Sequence, residues 1–292
     1  MKTKICLALS IFLGLSVLAG CRMDDIAKTF PLIGTRGDTI SKATEQFTPE
    51  QEHYLGRAVA ARIVQKYSAL KNDKANSYLN QVGQALAMNS KQPFTYGGYH
   101  FLLLDSNETN SFAAPDGLIF VTKGMLGLIS TESELAAVLA HEITHVQNKD
   151  AVKAIQSSRM TETLLLLGKD ATSQYTNKLP DKKLVELFSS SVDDIVVTMV
   201  SNGYSRSQEY AADAGAKEIL ALTGYNPEAL ADMLRVMEKR VSSGSPGLAA
   251  THPSATDRLA AIKSTGTKGG KEDNERARRF KAALGPYAHS AK

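Results

Sequence analysis

The chain has no tryptophan, and its two cysteines, Cys6 and Cys21, both lie near the N-terminus. Neither can cross-link a domain built from the residues that follow, so no disulfide framework supports the fold. An excess of one charge is missing too. The formal net charge is +4, and it falls to +2 if Lys2 and Lys4 leave with an N-terminal leader. The basic residues are spread along the chain, which argues against the concentrated positive face that nucleic acid requires. Internal repeats at solenoid periods are absent. What remains, 292 residues with 43% hydrophobic and 22% charged, suits one sizeable globular domain with a real core, with or without tails.

Residues 1–20 carry two lysines, an apolar run from Ile5 to Leu18 and then small residues. This is the pattern of a signal peptide, too short and wrongly flanked for a transmembrane helix. The end of the run, Leu18-Ala19-Gly20-Cys21, resembles the bacterial lipobox, in which the cysteine is lipidated and becomes the first mature residue. The alternative is an ordinary signal peptide cut near Ala19 or Gly20, with Cys21 a bystander. Arg22 follows, not Asp. By resemblance to lipoprotein sorting in Gram-negative bacteria, this implies the periplasmic face of the outer membrane. There an acylated Cys21 holds the chain to a leaflet. Residues 21–47 read as a tether.

A helix is expected from Thr48-Pro49-Glu50, with Pro near its first turn, and another over 74–88. Residues 99–105 read as a strand. Turn-forming residues over 110–117 lead into a β-rich strand, Leu118, Ile119, Phe120, Val121 and Thr122. An edge strand beside a cleft can hold an extended peptide by main-chain pairing; the same pattern also describes a purely structural hairpin. In the largely helical stretch 151–203, Leu184, Leu187, Phe188, Val192, Ile195, Val196 and Met199 share one face, while Lys182, Lys183, Asp193 and Asp194 exclude a membrane span. Helices follow over 205–222, from Asn226-Pro227 to about 241, and over 256–264, with a Ser/Gly/Pro-rich loop at 242–251. Residues 266–292 read as a basic, solvated tail with a fraying helix.

The chemistry concentrates in residues 131–148. Thr131 and Glu134 form a capping-box pattern, and Leu135, Val138, Leu139 and Val146 repeat at helical spacing. This helix carries His141-Glu142-Ile143-Thr144-His145, which reads H-E-x-x-H. Histidines four apart lie on one helix face and can share one zinc ion, while the adjacent Glu142 can reach the water that zinc activates. The bland reading is two partly buried histidines with a solvated glutamate between them. A catalytic zinc needs a third protein ligand and an open position. Glu209, with Asp213 one helical turn further on, fits best: Glu209 on the metal, and Asp213 accepting a hydrogen bond from the non-ligating nitrogen of a zinc histidine. Ala211 and Ala212 would leave room for close packing. Spacing alone equally describes two surface carboxylates.

With N-S-F-A-A-P-D-G before it and Glu209-Tyr-Ala-Ala-Asp213 and Thr251-His252-Pro253 after it, the H-E-I-T-H helix resembles the HtpX-like and BepA-like zinc metallopeptidases, a family that also includes the CAAX prenyl proteases. The resemblance covers roughly residues 48–264. It implies an α+β, mostly α, gluzincin-like domain over 48–265 with a small β-sheet beside the active-site helix. It implies one Zn²⁺ per chain on His141, His145 and Glu209, with Glu142 as general base and Leu118–Thr122 as the substrate-pairing strand. His252 matches a family histidine near the metal, which either stabilises the oxyanion or ligates zinc as a self-inhibiting fourth ligand. Arg258 anchors its segment. Asp116 stands where the family usually has Gly, so the turn before the strand differs. With no transmembrane helix evident after the leader, the resemblance is to the periplasmic lipoprotein branch. The expected function is endopeptidase action on unfolded or misassembled envelope proteins. The alternative is a chaperone-like outer-membrane assembly factor whose zinc site is structural or self-inhibited.

Overall fold

The computed structural model describes residues 47–154, 181–240, 251–262 and 273–288. The leader over 1–20, Cys21, nearly all of the tether, the loop at 242–250 and residues 263–272 lie outside them, as do the side chains of Leu184, Leu187 and Phe188. The described residues all belong to one compact unit. They are mostly helical, with one small three-stranded sheet.

Helix α1, Pro49–Tyr67, starts where its cap dictates. Thr48 and Gln51 exchange hydrogen bonds in a capping box, and Pro49 occupies the first turn, where its missing N–H costs nothing. Helix α2, Asp73–Met88, is capped by Asn72. Strands β1, His100–Leu104, β2, Ser111–Ala114, and β3, Leu118–Thr122, form the sheet. Helix α3, Glu132–Gln147, is capped by the Thr131 hydroxyl, whereas the Glu134 carboxylate takes the N–H of Ser130 at 2.6 Å. Apolar residues pack around α3, and every residue of it from Leu135 to Val146 is buried. Helix α4, Asp181–Val197, packs on α1 and buries Val192 and Ile195. A π-helical turn, Thr198–Asn202, follows.

Helix α5, Arg206–Thr223, lies along α3. Their closest approach is at Gly215, where a Cβ would stand 2.4 Å from the Thr144 methyl. Of the two alanines expected to make that room, Ala212 is buried but Ala211 faces solvent. Helices α6, Ala229–Arg240, and α7, Ala255–Ala261, pack on each other.

Three expectations are corrected. The strand Leu118–Thr122, expected at an edge, is the middle one. It pairs in parallel with β1 (His100↔Leu118, Leu104↔Thr122) and antiparallel with β2 (Ser111↔Val121, Ala114↔Leu118). Both of its ladders are filled, so it has no main-chain groups to offer a peptide. The residues read as turn-forming include Ser111-Phe-Ala-Ala114, in which Ser111 is the one turn-favouring residue, and this stretch extends as β2. The turn itself is confined to Pro115-Asp-Gly117. Asp116 sits in it with φ +64, a left-handed conformation that usually favours Gly. Its carboxylate accepts from Gly97 N–H at 2.9 Å and lies 2.6 Å from His53 Nδ1, and these bonds hold the turn.

The third correction concerns the tail. Residues Asn274–Leu284 form helix α8, capped by Asp273. Phe280, Ala283 and Leu284 repeat at helical spacing and are buried in the core around α3. Arg279 grips the carboxylate of Glu132, which also accepts from Tyr78 at 2.6 Å and Tyr225 at 2.7 Å. Charged residues on the other faces hid this stripe. Phe280→Ala is therefore expected to cost about 3–5 kcal/mol, read as a lower urea midpoint. An unchanged midpoint would show that α8 is not docked in solution.

Candidate active site

The last two turns of α3 carry His141, Glu142 and His145. Both imidazoles are buried, and each is tied down at Nδ1. His141 Nδ1 lies 3.0 Å from Asp213 Oδ1 on α5, and Asp213 also accepts from Arg258 Nε at 2.9 Å. His145 Nδ1 lies 2.8 Å from Asp150 Oδ2, whose other oxygen takes the Gln208 amide at 3.0 Å. With carboxylates accepting at Nδ1, the two rings donate there and turn their Nε2 lone pairs inward. The two Nε2 atoms are 3.1 Å apart. Glu209, on the first turn of α5, completes a triangle: Oε2 is 3.5 Å from His141 Nε2 and Oε1 is 3.6 Å from His145 Nε2. His252 joins from the segment before α7, its Nδ1 2.7 Å from Glu209 Oε2. One ligand atom from each of the four lies within 4.8 Å of the others.

The electrostatics match a cation site. Burial alone would raise the pKa of Glu209; the positive character of His252 and the bonds to His141 outweigh it and hold the carboxyl far below the usual carboxylate range. Burial likewise opposes ionised Asp213, but Arg258 and His141 lower it to about 2. Burial and Arg258 both disfavour a charge on His141, yet its bonds to Asp213 and Glu209 prevail and raise it to about 9. A cation entering here competes with that proton. The donor set also passes a direct test of fit. Glu209 is fully buried, and its Oε1 has no hydrogen-bond partner among the described residues. Two atoms bound tetrahedrally to zinc at about 2.0–2.1 Å stand about 3.3 Å apart, and the spacings of 3.1, 3.5 and 3.6 Å bracket that value.

Glu142 points to the same side and accepts from the Ser111 hydroxyl of β2 at 2.6 Å. An apolar pocket lined by Met125, Val138, Leu230, Met233, Leu234 and Met237 adjoins Glu142 and His141. Of the residues expected from sequence, His141, Glu142, His145, Glu209, Asp213, His252 and Arg258 converge, whereas Leu118–Thr122 stand one strand away behind β2.

Three residues escaped the sequence reading. Asp150 reaches back under His145 because Lys149, at φ +53, reverses the chain after α3; its only signal is its closeness to the motif. Ser111 acts through β2. Tyr204 lies between the π-turn and α5, its ring packed at a tilt of 35° against His145 with 4.7 Å between centroids. Its hydroxyl is buried without a hydrogen-bond partner among the described residues. Burial first, then Glu142, Asp150 and Glu209, push its pKa well above the ordinary tyrosine value, so it stays an O–H. Gly203 before it, at φ +72, touches the backbone of Thr251, where a Cβ would stand 1.9 Å from the carbonyl oxygen.

If Asp150 orients His145, Asp150→Asn should weaken divalent-metal binding by about 10–100-fold, measured by competition with a chromogenic chelator. Unaltered affinity would mean that His145 is oriented by something else.

The model of peptidase family M48 matches residues 73–266. The chain is 26% identical over 239 residues to the beta-barrel assembly-enhancing protease of Escherichia coli (strain K12), a match covering 81% of this chain and 47% of that protein. It is 25% identical over 224 residues to the protein of that name in Yersinia pestis, covering 76% and 45%. To a protease HtpX homolog of Dictyoglomus thermophilum it is 28% identical over 250 residues, covering 74% and 79%. The chain thus spans about half the length of the assembly-enhancing relatives it matches. The matched stretch contains both helices that bring His141, His145 and Glu209 together, as well as the His252 segment, and the chain belongs to peptidase family M48, whose members are metal-dependent peptidases.

Proposed function

We propose that the protein is a zinc endopeptidase acting on extended segments of unfolded or misassembled envelope proteins. The observation that carries this reading is the convergence of His141, His145 and Glu209 beside a buried Glu142. When bound, zinc supplies Lewis acidity to the scissile carbonyl and to the attacking water. Glu142 takes the proton of that water and delivers it to the leaving nitrogen. Ser111, donating to Glu142 Oε1 at 2.6 Å, aims the carboxylate. Asp213 and Asp150 keep the two imidazoles in the tautomer that binds metal.

The substrate strand moves from β3 to β2. The Asn110 carbonyl accepts from Thr122 N–H at 3.1 Å. By antiparallel alternation, Phe112 and Ala114 then turn their main-chain groups toward β3, and Ser111 and Ala113 turn theirs away. Ser111 N–H is taken by Asn110 Oδ1 at 3.0 Å. The carbonyl of Ser111 and both main-chain groups of Ala113 thus line the open edge, above a cleft lined by Tyr96, Ala113, Ala114, Pro115, His145 and Val146. An extended peptide can pair there regardless of its side chains, which suits unfolded substrates.

The envelope setting rests on the leader and Cys21, which also carry the proposed outer-membrane anchoring. The names of the assembly-enhancing relatives support it. No described helix is long and apolar enough to cross a membrane. The second reading, an assembly factor whose site is held shut, is favoured by one observation: His252 lies among the ligand residues, on Glu209.

Two experiments separate these readings, both on the soluble form lacking residues 1–21. Glu142→Gln should keep its metal and lose about 10²–10⁴-fold in casein cleavage, and a chelator should abolish wild-type cleavage. Undiminished cleavage by the metal-loaded variant would refute the mechanism, and a wild type that binds outer-membrane proteins yet cleaves nothing would favour the assembly reading. His252→Ala should raise the cleavage rate at constant metal content, because it opens a position that His252 fills. A fall in rate would assign His252 to the oxyanion.

A further inference from the structure

The geometry points to Tyr204 as an additional catalytic residue, whose hydroxyl donates a hydrogen bond to the scissile carbonyl oxygen as negative charge gathers there. This inference rests on the hydrolase reading above. Its first support is an unused donor. The other donors named around the site are all engaged: Ser111 on Glu142, Arg258 on Asp213, Gln208 on Asp150 and His252 on Glu209. The Tyr204 hydroxyl is buried and has no partner among the described residues, although its ring is packed against His145. A residue placed there only to cover His145 would be as good, or better, as phenylalanine, because a buried hydroxyl without a partner carries a desolvation cost.

The second support is the construction of the segment. The chain leaves α4 through a π-helical turn, a feature frequent at functional sites. It then passes Gly203, whose left-handed backbone presses on Thr251. On the other side, Ser205 and Gln208 form a capping box, and Gln208 is bonded to Asp150. Tyr204 is thus fixed on both sides, between the segment that carries His252 and the carboxylate that orients His145. A tyrosine hydroxyl ordinarily keeps its proton near neutral pH, so the group serves as a donor and not as a base.

In the step this assigns, the water oxygen bonds to the carbonyl carbon and the carbonyl π pair moves onto its oxygen. The water proton passes to Glu142 and then to the nitrogen as the C–N bond breaks. Tyr204 keeps its proton throughout. Its bond strengthens only as the oxygen becomes anionic, the kind of differential contact that lowers a barrier without tightening substrate binding.

The test is Tyr204→Phe in the zinc-loaded protein, compared with wild type. The kcat for casein-derived peptides should fall about 10²–10³-fold with KM little changed. Inhibition by a peptide phosphonamidate, which mimics the tetrahedral state, should weaken in parallel. Zinc stoichiometry should hold, and the melting temperature should stay equal or rise. A variant with wild-type kcat and wild-type phosphonamidate affinity overturns the role of Tyr204 alone. So does one that loses zinc and melts lower, since the residue is then structural. A wild-type protein that neither cleaves peptides nor binds the phosphonamidate overturns the hydrolase reading, and the Tyr204 role with it.

Discussion

Two imidazole nitrogens facing each other at 3.1 Å inside a protein, with a buried carboxylate against both, set the terms for the rest of this structure. Such an arrangement is costly unless something positive occupies its centre or protons substitute for it. Everything that touches it manages that cost. Asp213 and Asp150 take the outward edges of the histidines and are themselves bonded, to Arg258 and Gln208. Helix α3 is covered so completely that its polar residues must find partners within the protein. The missing side chain at Gly215 lets α5 approach closely enough to deliver Glu209 and Asp213 to that helix.

The sheet contributes by position. Its central strand is a fully paired platform, and its outer strand β2 supplies the hydroxyl bonded to Glu142 and has no second partner strand among the described residues. The left-handed Asp116 ends β2 and, through His53 and Gly97, ties the hairpin to α1 and to the chain before β1. In the proposed reading, the hydroxyl that aims the base and the substrate track share this one short strand.

What could be read from sequence follows how local each signal is. His141, Glu142 and His145 sit on one helix whose period is visible in its own residues, and Glu209 and Asp213 repeat that logic on α5. Asp150 depends on a left-handed Lys149, and Tyr204 on an irregular turn; neither has a periodic pattern to betray it. Strand order is a long-range property, so Leu118–Thr122 reads as a strand from its own residues while its central place in the sheet does not. In α8 the apolar stripe is three residues long, Phe280, Ala283 and Leu284, amid arginines and lysines, and composition alone describes a solvated tail.

The clamp between Glu132 and Arg279 joins positions 147 residues apart. During synthesis the start of α3 is made long before its cationic partner. Until residue 279 emerges, Glu132 has the hydroxyls of Tyr78 and Tyr225 but not the guanidinium that neutralises it, so its burial is costly. A fold built this way completes its scaffold late, so the cluster of His141, His145 and Glu209 takes its final setting only after the C-terminal helix has been made.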